Sequence, residues 1–157
     1  MKKTNAMRML DEAKISYEVA EYDVDPEDLS GLHVAQTASL PPEQVFKTIV
    51  LKGDRSGYLV VCLPVGDEID LKKVAALSGN KSVELIHISD LEKITGYVRG
   101  GCSPIGMKKK FPTFASEKLK QQEKVYVSAG RRGLQLYLSS ADLISFCEIF
   151  LGDIGRE

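Results

Sequence analysis

The chain has 157 residues, of which 43% are hydrophobic and 27% charged, so it is long enough to bury one core and carries too many charges to live inside a bilayer. No apolar run approaches the length of a membrane span. Twenty-one Lys and Arg against 22 Asp and Glu leave a net charge of −1, which excludes any argument about partners from total charge alone.

Thr4 is placed to cap a helix from Asn5 to about Lys14, where Ala6, Met9, Leu10 and Ala13 repeat at helical spacing. Tyr17, Val19 and Tyr22 then suggest a short strand that ends at Asp23-Val24-Asp25-Pro26. Tyr22, at the strand end beside a polar loop, either closes a pocket or simply packs. A second helix is expected from Leu32 to about Leu40, stopped by Pro41-Pro42, with a single turn from Pro42 to Val45.

Phe46 to Leu51 reads as a buried strand with one misfit, Lys47. An ammonium in such a run needs an anion or a route to water. At a strand edge it would instead snorkel outward. Across the polar turn Lys52 to Gly57, the apolar run Tyr58 to Leu63 completes a hairpin, with Cys62 as a small core residue. Asp70 caps a helix running to Ser78, and Gly79-Asn80 stops it. Val83 to Ile88 reads as a strand, and Ser89 with Glu92 forms a capping box for a helix from Asp90 to Thr95.

Gly96 to Gly106 holds four glycines and Pro104 in eleven residues, so it cannot be the interior of an element. The Gly100-Gly101 pair leaves backbone N–H groups open to close approach, and Pro104 pins the turn after Ser103. Such a loop can hold a carbonyl oxygen or a phosphate, or it can be a plain connection between elements. Lys108 to Lys110 follow at once. Arg99 to Arg132 carries nine basic and two acidic residues, whereas Met1 to Ser30 carries four basic and eight acidic ones. A basic tract beside a glycine loop suits a polyanion as well as it suits a solvated face.

Phe111 to Ala115 looks extended, Glu117 to Gln122 is a polar turn or short helix, and Val125 to Ser128 is a strand leading into Ala129 to Gly133. Leu134, Leu136 and Leu138 alternate with Gln135 and Tyr137 in a further strand. Ser139 or Ser140 caps a last helix, Ala141 to about Leu151, with Leu143, Ile144, Cys147 and Phe150 on its buried stripe. Cys62, Cys102 and Cys147 share no CxxC spacing and read as reduced thiols of a cytoplasmic protein. His33 and His87 stand far apart in sequence, and no metal-ligand spacing is present. The expectation is one α/β domain, residues 1–157, with several antiparallel pairs.

Four passages together resemble the YbaK/EbsC family of aminoacyl-tRNA deacylases, in the Cys-tRNA(Pro) branch related to the editing domain of bacterial prolyl-tRNA synthetases. They are Phe46-Lys47-Thr48, Asp70 to Ala75, Thr95 to Gly106, and Tyr126 to Gly130 with Arg132-Gly133-Leu134. The resemblance implies a single-domain, mixed and largely antiparallel β-barrel surrounded by helices. It implies catalysis by Lys47 with the Gly100-Gly101 amides, and substrate contacts from Tyr22, Thr48, Ser103, Pro104, Ser128 and Gln135. Gln135 stands where well-studied members carry aspartate, and an amide cannot act as a base. Lys108, Lys109, Lys110, Arg131 and Arg132 are the corresponding candidates for contact with tRNA phosphates.

The implied activity removes cysteine from mischarged Cys-tRNA(Pro), or from Cys-tRNA(Cys), by attack of the substrate's own thiol on its ester. No cofactor and no metal are implied, and the partners are the aminoacyl-tRNA acceptor end and prolyl-tRNA synthetase. Two other readings use the same residues: a non-catalytic module that binds aminoacyl-tRNA or a nucleotide beside a synthetase, and a deacylase for another small amino acid such as alanine. Cys102 is the rival nucleophile, but no histidine lies near it in sequence.

Overall fold

The computed structural model describes residues 2–157. The Thr4 hydroxyl accepts from the Met7 N–H and starts α1 (Asn5–Glu12), whose Ala6, Met7 and Leu10 are buried. β1 (Tyr17–Glu21), α2 (Gly31–Thr37) and a 3-10 turn (Pro42–Gln44) lead to the longest strands, β2 (Phe46–Gly53) and β3 (Gly57–Pro64). These pair antiparallel from Phe46 opposite Pro64 to Gly53 opposite Gly57, as their apolar runs predict. β4 (Glu68–Ile69) precedes α3 (Leu71–Ser78), where the Asp70 carboxylate accepts from the Lys72 and Lys73 N–H groups. β5 (Val83–Leu85), α4 (Ile88–Thr95), β6 (Thr113–Ser116), a 3-10 segment (Glu117–Gln121), β7 (Lys124–Ser128) and β8 (Leu134–Ser139) follow. α5 (Ser140–Cys147), β9 (Phe150–Gly152) and β10 (Gly155–Arg156) complete the chain.

The strands form three sheets: β5-β2-β3-β6-β9, β1-β8-β7 and the small pair β10-β4. Most ladders are antiparallel, but β6 runs parallel to both β3 and β9. Side chains alternate across the five-stranded sheet. Leu51, Leu59, Val61 and Leu63 pack toward Val74 and Ala75 of α3, while Val50 and Val60 pack with Ile94 of α4. The three-stranded sheet buries Val127, Leu136 and Leu138 with Met7 and Leu10 of α1 and Leu143 of α5. The arrangement is a mixed α/β domain.

The expected barrel is not closed. Between the two larger sheets the described residues make one isolated bridge, Val45 to Tyr126, and no continuous ladder joins β2 to β7. Three local expectations also change. The strand from Val83 stops at Leu85, and the α4 helix begins at Ile88 with His87 in the capping position, so Ser89 falls inside the first turn and makes no cap. The last helix ends at Cys147, where Glu148 adopts φ 52°. Phe150 is therefore on β9 rather than on a helical stripe, and it is 63% exposed.

Candidate functional site

The ends of β2, β7 and β8 meet the glycine loop and the start of α2 around a cavity of about 130 Å³. Its polar lining is Lys47 and Thr48 from β2, Ser128 and Gln135 from a facing pair on β7 and β8, and Gly100 and Cys102 from the loop. Leu29, Gly31, Val34, Val45, Phe46 and Val65 supply the apolar walls. Gly31 lets α2 come this close, since a Cβ there would stand 2.4 Å from a Val65 methyl.

Lys47 is partly buried, and its Nζ donates to the Asp67 carbonyl oxygen at 2.6 Å. Burial pushes its pKa below the ordinary 10.5, against the raising pull of the Asp67 and Glu68 carboxylates. Thr48 Oγ1 lies 3.8 Å from Cys62 Sγ inside the sheet. The Ser128 hydroxyl accepts from the Gly130 N–H at 3.1 Å, which leaves its own proton free to donate. Gln135 is 5% exposed, and its Oε1 is the one buried side-chain oxygen without a hydrogen-bond partner among the described residues. A buried acceptor of this kind is costly to leave unmet, so it is poised for a donor brought in by a ligand.

The glycine pair divides its work. Gly100 has φ 85°, a left-handed conformation that suits glycine, and neither its N–H nor that of Cys102 has a partner among the described residues. The Gly101 N–H instead donates to the Val98 carbonyl at 3.0 Å. Gly101 is buried against the backbone of Arg131 and Arg132, where a Cβ would stand 3.2 to 3.3 Å from main-chain atoms. Thus Gly101 holds the loop, and the unpaired amides beside the cavity are those of Gly100 and Cys102.

The remaining sequence candidates lie elsewhere. Tyr22 lines a separate polar hollow of about 380 Å³ with Arg131 and Arg132. Arg132 connects the two hollows, because its Nε donates to the Arg99 carbonyl at 2.7 Å and packs against Gly100. Ser103 is fully buried and its hydroxyl accepts from the Ile105 N–H, a role internal to the loop. Pro104 borders a third hollow, of about 210 Å³, with Lys109 and Lys110. Lys110 pairs with Glu148, and Lys108 lies against Gly96. The basic tract is therefore spread over several surfaces.

Cys102 lines the cavity, yet burial pushes its thiol up to about 12. Neither histidine lines the cavity: His33 sits between Asp25 and Asp28, and His87 is at the α4 cap position. Among the described residues no group of three or more His, Cys, Asp or Glu is placed to hold a metal ion, and no helix is long and apolar enough to cross a membrane. Leu29, Gly31, Val34 and Val65 escaped the sequence reading, since only tertiary packing brings them to the site.

The family pattern of the aminoacyl-tRNA editing domain matches residues 31–146. The chain belongs to that family. A protein of Enterococcus faecalis, named as the candidate Cys-tRNA(Pro)/Cys-tRNA(Cys) deacylase EbsC, is 46% identical over 143 residues, covering 91% of this chain and 87% of the relative. A solved structure described as a candidate trans-editing enzyme for prolyl tRNA synthetase superposes with a TM-score of 0.83 at 19% identity, covering all of both chains. A second, described only as a hypothetical protein, gives a TM-score of 0.87 at 17% identity over 98% of this chain and 100% of its own. At those identities the two structures speak for the fold alone. Lys47, Thr48, Gly100, Cys102, Ser128 and Gln135 all fall inside the matched editing domain.

Proposed function

We propose that residues 1–157 act as one trans-editing deacylase domain that removes cysteine from Cys-tRNA(Pro), and from Cys-tRNA(Cys), in the cytoplasm. The observation that carries this reading is the small cavity in which unpaired amides, a partly buried ammonium and an unmet amide oxygen converge within an editing domain. An aminoacyl ester needs positioning and oxyanion stabilisation more than it needs a strong nucleophile. The substrate supplies its own: the cysteinyl sulfur attacks the ester carbonyl, the C–O bond to the 3′ ribose breaks, and the thiol proton passes to the departing ribose oxygen. The products are a cyclic thioester and free tRNA.

In this reading the Gly100 and Cys102 amides meet the developing oxyanion, and Gln135 Oε1 accepts from the substrate's α-ammonium. Lys47 holds the terminal phosphate or adenosine and fixes the ester in line for attack. Tyr22, Arg131 and Arg132 receive the adjoining acceptor nucleotides in the neighbouring hollow, where stacking and charge favour a single strand. Cys102 gives an amide and not a nucleophile, because a thiol titrating near 12 is protonated at neutral pH. Prolyl-tRNA synthetase is the natural source of the mischarged substrate.

Multiple-turnover release from Cys-, Ser- and Ala-charged tRNA(Pro) tests the assignment. Fast release from the cysteinyl ester alone is the expected result. Equal rates on the alanyl ester would overturn thiol attack, and tight binding without turnover would leave a carrier module. Lys47→Ala should lower kcat/KM by more than about 100-fold while the thermal midpoint holds.

A further inference from the structure

Asp67 stands between two lysines. Its carbonyl oxygen accepts from Lys47 Nζ at 2.6 Å, and its carboxylate, on a side chain only 12% exposed, pairs with Lys118 Nζ at 2.9 Å. Lys118 comes from the 3-10 segment between β6 and β7, distant in sequence from both. Its other partner, Glu157, lies 2.8 Å away but is 85% exposed, so of the two contacts it is the one more screened by water. Nothing in the glycine loop or the cavity wall touches Lys47 Nζ in a comparable way among the described residues; the ammonium is held from behind, by a turn that Lys118 pins.

We propose that Lys118 is a positioning residue for the editing reaction: through its ion pair with the Asp67 carboxylate it fixes the carbonyl that holds Lys47 and keeps that carboxylate from capturing the Lys47 ammonium. The inference rests on the reading that Lys47 serves the substrate. With Lys118 in place the carboxylate is occupied, so Lys47 retains a neutral acceptor and can extend to a phosphate. Without Lys118 the nearest unsatisfied anion to Lys47 is Asp67 itself, and an ion pair there would draw the ammonium off the substrate.

The groups that face Lys47 set the sign of the effect. Asp67 and Glu68 are the anions, Lys118 and Glu157 adjoin Asp67, Arg156 lies 3.5 Å from Glu68, and the protonated Cys102 thiol lies on the cavity side. Removing the Lys118 charge leaves Asp67 unopposed, which favours the charged form of Lys47 and moves its titration to higher pH. Removing the Asp67 charge does the opposite. A contact that merely braced the fold would lower the thermal midpoint of Lys118→Met and leave its turnover per folded molecule unchanged.

The experiment follows the Lys47 side chain by NMR in the full chain, with Lys47→Ala identifying its signal, and measures Cys-tRNA(Pro) turnover in the same variants. Lys118→Met should raise the pH at which Lys47 titrates and lower kcat/KM at neutral pH by up to about 100-fold. Lys118→Arg should restore both, and Asp67→Asn should move the titration to lower pH. If Lys47 titrates unchanged in Lys118→Met and Asp67→Asn while Lys47→Ala is inactive, the role of Lys118 is overturned alone. Full activity in Lys47→Ala would instead remove the function assigned to Lys47, and the inference with it.

Discussion

Two parts of the loop from Gly96 to Gly106, Val98 to Cys102 and Ser103 to Gly106, have the same kind of sequence and opposite physical states. The second part is tied down: Ser103 and Ile105 are buried, the Tyr97 hydroxyl donates to the Ile105 carbonyl, and the Asn5 side chain donates to the Gly106 carbonyl at 3.2 Å. The stretch from Val98 to Cys102 is left open at the cavity, with the Gly100 and Cys102 amides unpaired among the described residues and Val98 and Arg99 exposed. Glycine content alone does not distinguish a loop that offers its backbone from one that spends it. What distinguishes them is where each N–H goes, and here the secured part anchors the part that is free.

The largest effect that sharpens this contrast is expected at Gly100. Gly100→Ala places a Cβ at φ 85°, 3.3 Å from Arg132 Nε and from a Leu29 methyl, and turns the amide away from the cavity. Deacylation should fall roughly 100- to 1000-fold, the range for a lost oxyanion donor. A variant that turns over normally would show that the Gly100 amide takes no part. Tyr97→Phe probes the other part. It strands a buried carbonyl and should cost about 1–3 kcal/mol, lowering the thermal midpoint while per-molecule activity at low temperature is kept. A loss of activity without a loss of stability would reverse the two roles.

A smaller change is expected in the pH profile. Because burial lowers the Lys47 pKa, its ammonium discharges at lower pH than an ordinary lysine, and the alkaline fall in turnover should begin below 10.5. A profile flat through pH 10 would show that the charge is not needed. The smallest effect belongs to Cys102→Ser, which keeps the backbone donor and should change the rate by less than about threefold. Complete inactivation would make Cys102 the nucleophile.

The elements that could be read from sequence were those whose signal is local. The β2–β3 hairpin announces itself in two apolar runs about a polar turn, and Thr4 and Asp70 stand at caps that need no tertiary partner. β4, β9 and β10 are two or three residues long, and their pairing with distant partners decides their form. Ser89 met every local rule for a cap, yet the helix begins earlier, at Ile88. At the site, Lys47 was visible as a charge in an apolar strand and Gly100 as a bare backbone. Asp67 was not, because it acts on Lys47 through a carbonyl oxygen that every residue possesses.

The lone bridge from Val45 to Tyr126 has a consequence for specificity. Val45 to Thr48 form one flank of the cavity and Ser128 with Gln135 the other, so the distance across it is set by how two separately laddered sheets lean on each other. Buried residues such as Val127 and Leu136, packed in the core with Phe46 of β2, are therefore the ones whose change in bulk would alter the width of the cavity without touching its lining.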